Sequence, residues 1–312
     1  MATDLLDAPV ILVPIVATVK RLAPPITRVR GDRDPLWLRW TLTLLALGVL
    51  GLLVVVPVVN VFVNAFGNGV TAYFRALFAD VNTRHAMLLT LTVAPIAVVL
   101  NTIFGVAAAW ALARFQFRGR ALLIALIDLP FSVSPVVAGL VFVLLFGLQG
   151  WFGPWLQAHG IRVIFATPGL ILVTTFVTVP FVARELLPVL EANGPEEELA
   201  ALSLGASGWQ MFWRITVPHI RIGLLYGVIL CNARAMGEFG AVYVVSGRIG
   251  GQTDTIPIQV QKLFDTPGHN GLPAAFALAS VLTLLALVTL IAKVLIEPKL
   301  REKSEGEVAA SE

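Results

Sequence analysis

Arg234 and Glu238 carry opposite charges four positions apart inside a long apolar stretch, about 222–245. At that spacing on a helix the two side chains can reach each other. A charge at the centre of a membrane-embedded helix costs on the order of 2.5–3.5 kcal/mol on insertion scales, so both must face protein or water rather than lipid. Two compatible readings follow. The pair is an internal ion bridge that fixes packing, or Arg234 is a positive point on a polar route and attracts a passing anion. Ala233, Gly237 and Ala241 recur every four residues beside the pair, which predicts a packing face there, at a helix–helix or subunit interface.

A second intramembrane charge, Asp128, is followed by Pro130, Ser132, Ser134, Pro135 and Gly139. The two prolines remove amide donors and free carbonyls, so irregular backbone is expected around them. At membrane depth such backbone is tolerated only when it is buried in protein or lines a cavity. Ser132 and Ser134 therefore join Arg234 and Glu238 as candidates for a path or gate. Asp128 would repel an anion, so a structural or gating role is expected for it.

These residues must be held by membrane-spanning helices. The composition is 57% hydrophobic and 13% charged, with a mean hydropathy of +0.86. Soluble domains carry about 25% charge. A chain of this length has no core large enough to hide so much apolar surface, so lipid must cover part of it. Six stretches reach the roughly 20 residues needed to cross a bilayer: about Trp40–Phe66, Ala86–Ala113, Ala121–Gly147, Pro168–Leu190, Ile222–Val245 and Leu272–Ile296. The expected fold class is all-α, a polytopic membrane protein with about six transmembrane helices. Residues 1–39 and 297–312 read as cytoplasmic tails flanking a transmembrane domain, 40–296.

Orientation follows from Lys and Arg. Lys20, Arg21, Arg28, Arg30, Arg33 and Arg39 precede the first span, and Arg114, Arg118 and Arg120 follow the second. Arg184, Arg214 and Arg221 lie about the loop after the fourth, and Lys293, Lys299, Arg301 and Lys303 lie at or beyond the end of the sixth. The other loops hold only Arg75, Arg84, Arg162, Arg248 and Lys262. Both termini are therefore expected in the cytoplasm. Trp151, Phe152 and Trp155, in a loop nearly free of charge, predict a segment lying at the outer membrane interface.

Several chemistries are excluded. There is no G-x-x-x-x-G-K-[ST] loop, so the chain should not hydrolyse ATP by a P-loop. His85, His159, His219 and His269 are far apart and Cys231 is the single cysteine, which leaves no metal-site spacing and no internal disulfide framework. No G-x-S-x-G elbow is present. A membrane enzyme would need clustered polar catalytic groups near one interface, and a secondary transporter would show inverted repeats with midplane carboxylates. Neither pattern is found.

The loop 191–218 is the most informative segment. Pro195 followed by Glu196, Glu197 and Glu198 is a helix start, with the acids at the positive end of the helix dipole. Leu199, Leu202, Ala206, Trp209 and Trp213 recur at spacings of three and four and would share one apolar face, opposite Ser203, Ser207, Gln210 and Arg214. Gly205 and Gly208 suit two short helices meeting at a turn. Such a segment either packs under the bundle on the membrane or docks a partner.

The run LAALSLGASGWQMFWRITVP (199–218) resembles the EAA loop of binding-protein-dependent ABC-importer permeases, the MetI-like membrane subunits. Ala200, Ala201, Gly205, Ile215 and Pro218 fall in register. Leu199 stands where the pattern has Glu, with Glu198 one residue earlier, and Val217 replaces Leu. The segments 128–140, 145–156, 179–188 and 225–242 are similar to CysW-type sulfate/thiosulfate permeases, and the similarity spans about residues 36–296.

The resemblance implies a six-span MetI-like core in the bacterial plasma (inner) membrane. It implies that Glu198, Leu199, Ala200, Ala201, Gly205, Ala206, Ser207, Ile215 and Pro218 belong to an ATPase-coupling loop. It further implies CysA-like ATPase subunits, a CysT-like second permease and an extracytoplasmic sulfate-binding protein as partners. Membrane lipid is a further partner, and nucleic acid is not. No cofactor is expected in this chain itself, ATP and Mg²⁺ being bound by the ATPase. The function so implied is translocation of sulfate or thiosulfate by alternating access, with molybdate, tungstate or another oxyanion as the alternative cargo.

Overall fold

Long apolar helices account for most of the chain. The computed structural model describes residues 35–266 and 271–309, without the side chains of Leu36 and of 296–309. Two compact units are distinguished, Met1–Val56 and Pro57–Glu312. The described part of the first unit is helix α1 (Leu36–Leu50) and a wider π-helical stretch, Gly51–Val55. Apart from the half-buried Leu38, its large side chains from Trp37 to Val55 are exposed, as suits a surface facing lipid. Helix thus begins at Leu36, inside the expected tail 1–39, and residues 1–34 lie outside the described residues.

Helix α2 (Val56–Phe66) begins at the boundary between the units. The second unit continues with α3 (Val70–Phe78), α4 (Val81–Arg114), α5 (Arg120–Ser132), α6 (Pro135–Phe146) and α7 (Gly153–Ala158). Then follow α8 (Thr167–Asn193), α9 (Glu196–Ser203), α10 (Gly208–Met211), a π-helical stretch Phe212–Thr216, α11 (Val217–Met236), α12 (Gly240–Ser246), α13 (Ile256–Asp265) and α14 (Gly271–Ala309). There is no strand among the described residues.

Five runs are long and apolar enough to cross a membrane: Trp37–Phe66, Val81–Arg114, Thr167–Asn193, Gly208–Met236 and Gly271–Leu295. The sixth expected span is α5 with α6, and the two halves are bent by 111° at their junction. Trp151, Phe152 and Trp155 lie exposed about the short helix α7. Helix α14 runs on through the expected tail 297–312 as far as Ala309. Leu300, Arg301, Glu302 and Lys303 are good helix formers, so the helix outlasts its apolar stretch.

Helix α8 is the axis of the bundle in the second unit. On one part of its length Leu170, Val173 and Val177 bury against Val242 and Val245 of α12 and Ile258 of α13. Further along, Val182, Leu186 and Leu190 bury against Val98 of α4 and Ile220 and Cys231 of α11. Glycines let these backbones approach. A Cβ at Gly105 would lie 2.8 Å from Val182 Cβ, and one at Gly227 would lie 3.0 Å from Val182 Cα.

The close-packed face of α11 within this chain is therefore Gly223, Gly227, Cys231 and Ala235, all buried. The expected face of Ala233, Gly237 and Ala241 is not a face of one helix and does not pack within this chain as a unit. Ala233 and Gly237 are exposed, and the helix ends at Met236, so Ala241 belongs to a different element. Asn101 donates from Nδ2 to Thr178 Oγ1 (2.7 Å) and to the carbonyl of Thr175 (3.1 Å). It ties α4 to α8 at a depth where only protein can satisfy polar groups.

Candidate functional site: a charged elbow and two facing breaks

Helix α8 stops at Gly194, and α9 opens with Glu196, Glu197 and Glu198 in its first turn. Glu198 turns inward and is buried. Arg114, in the last turn of α4, donates to it from Nε (2.8 Å, to Oε2) and from Nη2 (3.2 Å, to Oε1). The same guanidinium donates from Nη1 to the Leu190 carbonyl at 2.8 Å, and Thr216 Oγ1 donates to Glu198 Oε1 at 2.8 Å. One bidentate pair thereby joins the end of α4, the end of α8, the start of α9 and the approach to α11. The fork geometry of arginine makes this link directional as well as strong.

Between α9 and α10 the chain turns at Gly205 with φ +88°. Nothing lies within 4 Å of a Cβ built there, so it is the left-handed backbone that selects glycine rather than crowding. Ser207 and Gln210 then close a capping box: Ser207 Oγ accepts from the Gln210 amide at 3.3 Å, and Gln210 Oε1 accepts from the Ser207 amide at 2.9 Å. The anchored elbow presents an uncovered apolar surface. Leu204 is 89% exposed and Trp209 71%, with Leu199, Leu202 and Trp213 exposed beside them. Of the other expected coupling residues, Ala200 is exposed, and Ala201, Ala206, Ile215 and Pro218 are half-buried.

Deeper in the bundle, two interrupted helices meet. Val133 is extended (φ −99°, ψ 132°) between Ser132, which ends α5, and Ser134, which precedes Pro135 at the start of α6. Proline disfavours helical backbone in the residue before it and suits the first helical position, which places the break there. The second interruption is Gly237–Phe239, between α11 and α12. The expected continuous span 222–245 is therefore broken, and Arg234 sits in the last turn of α11 rather than at mid-helix. A cation is favoured at that end by the helix dipole.

Glu238 is buried at the second break. Its Oε1 accepts from the Ala241 amide at 2.9 Å, satisfying one of the donors left free at the start of α12. Its Oε2 lies 2.5 Å from Arg234 Nη1, an ionic contact without hydrogen-bond geometry. The breaks face each other. A Cβ at Gly139 would fall 2.7 Å from the Ala241 carbonyl oxygen, and one at Gly240 would fall 3.1 Å from Pro135 Cβ.

Gly139→Val should lose on the order of 1–3 kcal/mol through overpacking. A lowered thermal unfolding midpoint of the purified protein would register it, and an unchanged midpoint would show that the contact yields freely. Ser132 and Ser134, both exposed, flank this junction. The structure thus brings the expected break about Ser132–Pro135 and the unexpected one at Gly237–Phe239 into one region, and it places the 199–218 elbow apart, on the ends of α4, α8 and α11.

Two arginines escape the sequence reading. Arg114 and Arg184 read as loop cations that set orientation, yet each binds a carboxylate bidentately. Arg184 pairs with Asp128 at 2.7 and 2.8 Å. For Arg184 the available signal is its place inside the apolar run 168–190.

The fold and both regions have counterparts elsewhere. A family model described as binding-protein-dependent transport system inner membrane component matches residues 101–302. The chain belongs to that family. It is 53% identical over 261 residues to the sulfate transport system permease protein CysW of Synechocystis sp., covering 84% of this chain and 93% of that one. It is 47% identical over 277 residues to the CysW protein of Escherichia coli, covering 88% and 94%. The sulfate transport system permease protein CysT of Escherichia coli is 39% identical over 204 residues, covering 64% and 74%.

In fold the chain resembles one from a bacterial ABC transporter involved in the import of the acidic polysaccharide alginate. The TM-score is 0.67 over 85% of this chain and 96% of that one, at 18% identity. The loop 199–218 and both helix breaks lie within the region that the family model matches.

Proposed function

We propose that this chain is a membrane permease subunit of an ABC importer for sulfate or thiosulfate, that it hydrolyses no ATP itself, and that a separate ATPase drives it. The observation that carries the reading is the elbow at 196–213. It is anchored through Glu198, Arg114 and Thr216 but leaves Leu204 and Trp209 uncovered. A firm attachment with an open apolar knob suits a lever. A partner that grips the knob moves α4, α8 and α11 together, and the facing breaks can then open to one side of the membrane at a time. The distribution of Lys and Arg supports an elbow and both termini in the cytoplasm, where an ATPase would find ATP and Mg²⁺.

The cargo is proposed from the CysW relatives and from Arg234, which brings positive charge to the junction of the breaks. A second permease of the CysT kind and an extracytoplasmic binding protein would complete the assembly. Leu204→Asp tests the coupling role, because it changes a side chain that touches little of this chain. The variant should assemble in the membrane at normal levels, bring down less ATPase from solubilised native membranes and take up at least tenfold less radiolabelled sulfate. Normal ATPase recovery together with normal uptake would refute the docking surface.

A further inference from the structure

The Asp128–Arg184 pair belongs to neither the elbow nor the Arg234 junction. Asp128 lies about 12 Å along α5 from Arg120, and Arg184 lies on the order of 13 Å along α8 from Asn193, at 1.5 Å per residue. Both charges therefore lie two turns or more inside the ends of helices read as crossing the membrane. Their side chains are nevertheless 58% (Arg184) and 28% (Asp128) exposed. An exposed ion pair at that depth must face water or another protein surface, since lipid solvates neither charge.

Four further observations describe what the pair offers. Arg184 uses Nε and Nη2 on Asp128, which leaves Nη1 with no hydrogen-bond partner among the described residues. The guanidinium lies over the Phe131 ring at 5.5 Å, and Phe131 meets Phe181 edge-on, so an aromatic pair backs the arginine. The pair lines an open pocket of about 280 Å³ with Leu112, Ile127 and Leu187, many times the roughly 10–15 Å³ that one water needs. Finally, Ser132 is one helical turn beyond Asp128 on α5, and Ser134 and Pro135 follow at the junction with α12. The two arginine–carboxylate pairs are linked by this one short stretch of chain.

We propose that Arg184 is a second oxyanion contact on the translocation path, on the cytoplasmic side of the Arg234 junction, with Asp128 as its displaceable counter-ion. The side follows from the Lys and Arg distribution, which puts the Arg120 end of α5 and the Asn193 end of α8 in the cytoplasm. A dianion leaving Arg234 past Ser134 and Ser132 meets the free Nη1 edge of Arg184. Asp128 holds the guanidinium in place when no anion is present. Its negative charge also limits how tightly the dianion is kept, so release to the cytoplasm stays fast. This proposal rests on the oxyanion-importer reading.

The test uses the intact transporter, purified from native membranes and reconstituted in vesicles with its binding protein, with radiolabelled sulfate, thiosulfate and molybdate as probes. Arg184→Gln should lower uptake at least tenfold while the recovery of partner subunits stays normal. The charge-reversed double variant, Asp128→Arg with Arg184→Asp, keeps a salt bridge but should stay inactive, since a carboxylate then holds the position that meets the anion. Should both fail to assemble, Arg184→Lys decides: loss of the second guanidinium edge should raise the KM for the anion at least fivefold. Normal uptake by Arg184→Gln, restored uptake in the reversed pair, or an unchanged KM in Arg184→Lys would overturn the proposal and leave the importer reading standing. A wild-type complex that carries none of the three anions would overturn both.

Discussion

Glu198→Ala is expected to abolish transport and to lower the amount of folded protein in the membrane. The carboxylate is buried, and its removal strands the Arg114 guanidinium with only the Leu190 carbonyl as partner, while Thr216 loses its acceptor. Breaking one side of a buried ion pair costs about 3–5 kcal/mol, because the other charge stays behind without compensation. That is a large part of a typical net stability of about 5–15 kcal/mol. Glu198→Gln separates charge from shape: it retains acceptor capacity for Thr216 and one arginine N–H, so its loss should be smaller. Thermal unfolding of the purified variants checks the order, wild type above Gln above Ala. Ala and Gln variants of equal, wild-type stability would mean that Arg114 is satisfied by water and that the elbow is held by packing alone.

The same pair marks the boundary of what is legible in the sequence. The register of Ala200, Ala201 and Gly205 and the turn at Gly205 are readable, because local backbone chemistry dictates them. Leu199 in the place of a glutamate suggests a missing ion pair. The structure instead uses Glu198, one residue earlier, whose side chain points into the bundle while Leu199 is exposed. Which of two adjacent side chains faces inward depends on how α9 meets α4, a relation between residues 84 positions apart.

Apolar spans and proline breaks report themselves locally. Partners brought together by packing, such as Asp128 with Arg184, do not. That limit also explains the shifted face of α11. Gly223 and Gly227 have the same spacing of small residues as Ala233 and Gly237, and only the position of α8 decides which set is covered.

Arg234→Ala should be the most damaging change at the junction of the breaks, and a second substitution separates its two roles. The Glu238 side chain is 1% exposed and that of Arg234 35%, so the carboxylate is structural and the guanidinium is the accessible partner. Removing Arg234 leaves a buried charge without its counter-ion. The penalty lies toward the lower end of about 3–5 kcal/mol, since water already reaches the arginine. Glu238→Gln in the same chain removes the stranded charge, and an amide oxygen can still accept from the Ala241 amide.

The double variant should therefore recover most of the lost thermal stability. Uptake of sulfate should remain at least tenfold below wild type, because no positive charge is left at the junction to meet the anion. Recovery of uptake along with stability would make the pair a packing device and remove Arg234 from the path. The two readouts divide because an ion pair can be replaced as a unit in a packed interior, whereas a passing dianion needs the cation itself.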